Sequence, residues 1–253
     1  MSTGIAVAVA AGIGIFMWQG GSTAATETDK AARAAGINAE QQEAFEEIVR
    51  QYILDNPEII PEAIDRLRAK QAAERIDGIR DQIEKPFEQG FAGNPNGDVV
   101  LVEFSDFACG YCRQSVGDVA RLLSEDPNLK VVFRELPILS DASGKAAQMA
   151  LAAANQDRYY SFHKAMFDAG RPSDQTIEAA AKSAGMDLEA AKAFISTPAA
   201  QAELESNIRI AQQLEFTGTP SWVIGNQIFS GAVGYDQLKA AIEAERANGK
   251  TDS

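Results

Sequence analysis

Residues 99–112, VVLVEFSDFACGYC, decide the fold of this chain. Their first six residues are an almost unbroken apolar run, the pattern of a short strand buried on both faces. The run leads directly through Ser105-Asp106-Phe107-Ala108 into Cys109. Beyond Cys112, the residues Val116, Val119, Ala120 and Leu123 recur at helical spacing, and Asp126-Pro127 marks the stop. A second β-rich run follows at residues 129–133. The reading is a strand–helix–strand unit with a Cys-Gly-Tyr-Cys motif where the helix begins.

Cys109 and Cys112 are the two cysteines of the 253-residue chain, and His163 is its one histidine. That is too few thiols for a disulfide scaffold and too few ligands for a closed zinc site within one chain, although a site shared between subunits stays open. Thiol–disulfide exchange, by contrast, needs two thiols: one available as a thiolate and a second close enough to resolve the mixed disulfide. A helix N-terminus favours negative charge on the first sulfur through its unpaired N–H groups and its dipole. Cys109 is therefore expected as the exposed nucleophile and Cys112, one turn further in, as the buried resolving thiol. A structural disulfide, a metal-ligand pair or chance cysteines are the alternatives, and the strand-to-helix context favours redox catalysis over them.

Working outward, Asn94-Pro95-Asn96-Gly97-Asp98 is turn chemistry ahead of the strand. The Ala-rich residues 141–214 read as several helices, with Ser173 and Asp187 as N-caps and Gly185 as a C-terminal stop. Residues 221–224 and 227–230 read as two strands joined at Gly225-Asn226, and residues 235–245 as a last amphipathic helix. The order is βαβ, a helical insertion, then ββα: an α/β chain. Thr217-Gly218-Thr219-Pro220 opens the third strand, and its proline is a candidate cis peptide.

Upstream, residues 4–18 are uncharged and mostly apolar, so residues 1–24 read as a signal peptide or membrane anchor and residues 25–35 as a linker. Phe45, Val49 and Ile53, with Ile48 and Tyr52 alongside, form an apolar stripe on a helix that Asn56-Pro57 stops. A second helix carries Ile60, Ile64 and Leu67, then Ala69, Ala72, Ile76, Ile79 and Ile83 at alternating spacings of three and four, a seam that packs either on its own domain or on a second copy, with Gly78 as its weak point. Residues 36–85 are thus expected to be a helical oligomerisation segment, separated at Lys85-Pro86 from a domain spanning residues 86–253. The formal net charge of −13 argues against nucleic acid and against anionic lipid surfaces as partners.

Through VEFSDFACGYC, Phe133-Arg134-Glu135-Leu136-Pro137 and Thr217-Gly218-Thr219-Pro220, residues 86–245 resemble the DsbA-like branch of the thioredoxin superfamily, and within it the ScsC-type members. Residues 48–58 resemble the N-terminal segment of the same proteins, which drives oligomerisation, in some members to trimers. The resemblance implies a thioredoxin-like fold and a periplasmic oxidoreductase acting on protein disulfides. It implies no cofactor beyond the redox-active pair Cys109–Cys112. It places Gly110, Tyr111, Thr219 and cis Pro220 at the substrate, and Glu103 as a buried acid that relays the proton of Cys112. Gly110-Tyr111 where DsbA oxidases carry Pro-His, together with Thr219, is similar to periplasmic disulfide isomerases. An isomerase or reductase serving misoxidised or unfolded proteins and kept reduced by a membrane partner is therefore expected. A dithiol oxidase and a copper-binding or chaperone protein are the alternatives. His163 is expected at the surface or in packing, and Trp222 and Phe107 as core residues or an apolar surface flanking the site.

Overall fold

A computed structural model describes residues 27–249. The expected signal or anchor at residues 1–24 lies outside these described residues. Among them, no helix is long and apolar enough to cross a membrane. The chain folds as two units, one ending at Glu62 and the other beginning at Ala63.

The first unit contains α1 (Glu27–Ala34), α2 (Ala39–Asp55) and the start of α3 (Ile59–Asp77). Helix α1 falls inside the expected linker. Its alanines favour the helix, Glu27 and Asp29 lie in its first turn with Arg33 in its last, and the Ile37 N–H closes it onto the Ala32 carbonyl around Gly36 at φ 76°. Asn38 caps α2 in a reciprocal box with Gln41. Helix α2 buries none of its residues, and Phe45, Ile48, Val49, Tyr52 and Leu54 are exposed.

The second unit is built on a five-stranded sheet in the order β1-β3-β2-β4-β5. The strands are β1 (Phe91–Gly93), β2 (Val99–Ser105), β3 (Leu129–Glu135), β4 (Ser221–Ile224) and β5 (Gln227–Ser230). Only β2 and β3 run parallel, joined by α5 (Gly110–Glu125), and the remaining pairs are antiparallel. The helical insertion comprises α6 (Asp141–Asn155), α7 (Tyr159–Asp168), α8 (Asp174–Ser183), α9 (Leu188–Ile195) and α10 (Pro198–Gln213), and α11 (Tyr235–Gly249) follows the hairpin. Ser173 and Asp187 cap α8 and α9, Gly185 sits at φ 72° beyond α8, and Gly225 at φ 53° makes the hairpin turn, each as the sequence predicts. Strand β1 carries no sequence signal of its own length. It forms by pairing Phe91 with Val132 and Gly93 with Lys130 along the free edge of β3.

Side chains alternate across the sheet. On one face Leu101, Val131, Phe133 and Trp222 meet Val119 and Leu122 of α5, Phe162 and Met166 of α7 and Leu238 of α11. On the other, Val102, Phe104, Val132 and Val223 meet Ile210 and Leu214, together with Ile76 and Ile83. The last two correct the expected seam. Helix α3 stops at Asp77, Gly78 and Ile79 turn the chain, and α4 (Arg80–Glu84) follows. Ile76 and Ile83 are both at 0% exposure beneath the sheet, whereas Ile60, Ile64 and Leu67 stay exposed. The same heptad pattern thus serves two fates, because the turn at Gly78 lays its later residues onto the core of their own unit. Arg134 holds α4, which follows that turn. Buried in β3, it pairs with Glu203 at 2.7 Å and donates to the carbonyls of Gln82, Ile83 and Lys85.

Candidate active site

The strand alternation that gives β2 two apolar faces also directs Glu103 and Ser105 toward α5 and α7. Glu103 stands opposite Phe133 on β3 and Trp222 on β4, and Ser105 stands opposite Glu135. Glu103 is 1% exposed, and neither of its carboxyl oxygens has a hydrogen-bond partner among the described residues. Burial, and behind it the negative charge of Cys109, pushes its carboxyl up to about 8, so it holds its proton at neutral pH. It is the buried acid of the expectation rather than an edge-exposed strand residue.

Cys109 is the N-cap of α5. Its Sγ accepts the Cys112 N–H at 3.4 Å, placing the sulfur against the free amide end of the helix. Its thiol donates to the Thr219 carbonyl at 3.2 Å. Thr219–Pro220 is cis, and the four substrate-side residues of the expectation come together here: Gly110 and Tyr111 exposed, Thr219 half-buried, Pro220 buried. No atom lies within 4 Å of where a Cβ on Gly110 would point. Both cysteines are free thiols. Cys112 is fully buried as expected, but Cys109 is only 6% exposed, because the Thr219 turn covers it. Burial and the neighbouring Glu103 push the Cys112 thiol up. Cys112 is a poor thiolate until a base takes its proton, and Glu103 is the acid placed to be that base when ionised.

For three side chains the structure selects the interior one of two expected places, and two buried acids are ones the sequence did not assign. Trp222 and Phe107 are core residues at 0% and 1% exposure: Trp222 donates its indole N–H to the Gly231 carbonyl, and Phe107 packs edge-on to Phe162 and His163 and tilted against Phe167. His163 is buried rather than superficial, ringed by Phe107, Phe133, Tyr159, Tyr160 and Phe167, and burial lowers it to about 3, so it stays neutral. Glu135 is buried as well. It accepts the Tyr159 hydroxyl at 2.5 Å, and burial raises its carboxyl. Asp106 went unread. At 1% exposure its carboxylate accepts N–H groups from Ala108 at 2.7 Å and from Ile138 and Leu139 at 2.9 Å each, while its carbonyl accepts the Cys109 N–H. An Asp three residues before a helix-capping cysteine is the local signal. Its partners thirty residues away left none.

Comparison with known proteins agrees with this geometry. Residues 100–243 match the family model of the DSBA-like thioredoxin domain, and residues 41–74 match that of the copper resistance protein ScsC N-terminal domain. A thioredoxin-like oxidoreductase from Silicibacter pomeroyi is 36% identical, with 66% of this chain and 98% of that one covered at a TM-score of 0.64. Proteus mirabilis ScsC in a transitional conformation is 28% identical, with 85% and 99% covered at a TM-score of 0.63. A curated relative, a Na(+)/H(+) antiporter NhaA of Salinispora tropica, is 25% identical over 180 residues, 69% of this chain. The chain spans only about a quarter of the length of the first curated relatives it matches, 26% and 25%.

Proposed function

The chain belongs to the DSBA-like thioredoxin-domain family and carries an ScsC N-terminal domain, and from that premise we propose that it is a periplasmic protein-disulfide isomerase or reductase. The observation that carries the reading is Cys109 at the N-cap of α5, with Cys112 and the unpaired Glu103 beneath it.

In this mechanism the Cys109 thiolate attacks one sulfur of a client disulfide. A Cys109–client bond forms, the client S–S bond breaks, and the second client sulfur leaves as a thiolate that takes a proton from solvent. In isomerisation another client thiolate attacks the mixed disulfide, and Cys109 is returned unchanged. In reduction Cys112 attacks Cys109 Sγ, and its proton passes, through the minor ionised fraction of Glu103, to the client thiolate that leaves. The Cys109–Cys112 bond forms, the client leaves reduced by two electrons, and a membrane dithiol partner must re-reduce the pair. The Thr219 carbonyl and cis Pro220 hold the client backbone alongside. Gly110-Tyr111 between the cysteines supplies no cation for the Cys109 thiolate, so the reduced form is less stabilised than in a strong oxidase and the dithiol is the better electron donor. Residues 1–24 are its export signal or anchor. The exposed α2 residues Phe45, Ile48, Val49 and Tyr52 join copies of the chain, which sets several active sites around one client.

Reactivation of scrambled ribonuclease tests this reading. Cys109→Ser abolishes it, and Ile48→Lys with Tyr52→Lys, which leaves the buried Ile76 and Ile83 in place, lowers it by breaking the assembly. Fast oxidation of reduced ribonuclease without reactivation rejects the isomerase for an oxidase. The description of the family matched at residues 41–74 favours a second reading, capture of Cu(I) by the two soft thiolates. Tight Cu(I) binding by the reduced protein that Cys109→Ser removes, with no reactivation, selects it.

A further inference from the structure

The face of the sheet toward α5 and α7 carries polar groups where a core is normally apolar. Strand alternation puts Glu103 and Ser105 of β2 on the same side as Glu135 of β3, and Ser105 stands directly opposite Glu135. All three are 1% exposed. Both carboxyl oxygens of Glu103, the Ser105 hydroxyl and one carboxyl oxygen of Glu135 have no hydrogen-bond partner among the described residues. Buried polar atoms are normally paired, so a patch of unpaired ones on adjacent strands asks for a reason. The other Glu135 oxygen accepts the Tyr159 hydroxyl at 2.5 Å, and the Tyr159 ring is stacked on Phe133 at 5.2 Å.

The groups around this patch decide the state of Glu135. Glu103 and Asp106 act on it from β2 and the turn that follows, and Tyr159 acts on it from α7. Cys109 and Cys112 of α5 and Tyr160 of α7 interact with Glu103, while His163, beside Lys164, is held neutral by burial. Among the described residues no cation acts on Glu135. Arg134, next to it in sequence, is engaged by Glu203 and by the Ile83 carbonyl. Asp106 accepts three N–H groups and so carries the negative charge. Burial, with Asp106 and Glu103 behind it, keeps the proton on Glu135. A protonated carboxyl is a donor, and the oxygen that Tyr159 does not occupy carries the proton.

We propose that Glu135 is a neutral hydrogen-bond donor to the active site: it donates to Ser105, the Ser105 hydroxyl donates to Glu103, and this chain closes when Glu103 is ionised. The inference rests on the thiol–disulfide reading above and identifies what regulates its buried acid. A hydrogen bond to a carboxylate favours the charged form over the neutral acid. The chain therefore enlarges the minor ionised fraction of Glu103 through which the Cys112 proton passes. Every proton in it stays on its own oxygen, and no bond is made or broken beyond those of the exchange itself. An ionised Glu135 would do the reverse, because a second negative charge holds the Glu103 proton in place. Glu135 acts through Glu103. It is a positioning residue, as are Ser105 and Tyr159.

The test follows the Glu103 carboxyl by carbon NMR in the reduced full chain across its titration, with Glu103→Gln to assign the signal. Beside it is measured the rate at which Cys112 resolves a mixed disulfide between Cys109 and a small thiol at neutral pH. Glu135→Leu removes the donor, moves the inflection from about 8 to about 9 and slows resolution about tenfold. Ser105→Ala moves the inflection in the same direction, and it carries the test alone should the Glu135→Leu chain not fold. Glu135→Gln, whose amide still donates and still accepts from Tyr159, stays within about twofold of wild type in rate, with its inflection moved by less than about 0.3 of a pH unit. An inflection that falls in either Glu135 variant reveals a charged Glu135 and overturns the proposal. So does an inflection that neither Glu135→Leu nor Ser105→Ala moves. Absence of any resolution by the wild-type protein overturns the thiol–disulfide reading and the role of the chain in it, whatever the inflection does.

Discussion

Two regions of the molecule break the rule of apolar inside and polar outside, in opposite senses. Between residues 45 and 67, Phe45, Ile48, Val49, Tyr52, Leu54, Ile60, Ile64 and Leu67 face water. Beneath the sheet residues of the other region, Glu103, Glu135 and Asp106 are each 1% exposed. The first region carries apolar surface with nothing of its own to bury it, and the second carries acids with little or no water to solvate them. Each violation costs folding stability and so points to a task beyond folding.

Relieving the inner violation has the largest effect. The Glu103 carboxyl of the unfolded chain ionises near its ordinary value of 4.5, whereas the folded chain keeps the proton up to about 8. Between those values the folded protein binds more protons, so its stability falls as pH rises, by on the order of 5 kcal/mol across the window. Glu103→Gln flattens this slope in urea titrations of the reduced protein run from pH 5 to 8.5, and it slows the Cys112-dependent resolution of a mixed disulfide at the same time. A slope unchanged in the variant places the titration elsewhere.

Next in size come two residues on the other face of the sheet, one buried aromatic and one buried cation. Phe104, at 0% exposure and edge-on to Phe216 at 5.0 Å, loses about 3–5 kcal/mol of stability on conversion to Ala. Truncating Arg134 to Ala leaves the carbonyls of Ile83 and Lys85 and the carboxylate of Glu203 without their partner, at about 3–5 kcal/mol. Denaturation midpoints measure both, and a loss below 1 kcal/mol for either would unmake the account of how α4 is held.

The outer violation gives the smallest and most diagnostic change. Tyr52→Ala shifts stability by less than about 0.5 kcal/mol in dilute protein, as an exposed residue should. At high concentration, where a second copy covers the stripe, it loses about 1–2 kcal/mol, and sedimentation shows the assembly weakening. A shift that does not depend on concentration removes the stripe from any interface.

Much of this was legible in the residues because the forces are local. Ser173, Asp187, Gly185 and Gly225 state where helices and turns begin and end within a few residues of themselves. The Cys-Gly-Tyr-Cys motif at a helix start follows from the run ahead of it and the helical spacing behind it. Strand β1 was not legible, because its three residues become a strand only beside β3. Nor was the divided fate of the α3 seam, since Ile64 and Ile76 look alike in sequence and differ only in whether a sheet lies beneath them.

By itself the sequence determined the order of elements from β2 onward, the dithiol at the helix cap and the strand position of Glu103, because periodicity, capping and turn chemistry act over a few residues. Only the tertiary structure decided that the Thr219 turn nearly covers Cys109, that Trp222 and Phe107 leave the surface, and that Asp106 ties the catalytic turn to Ile138 and Leu139. Burial and long-range hydrogen bonds depend on which distant segments are brought together. No window of neighbouring residues contains that information.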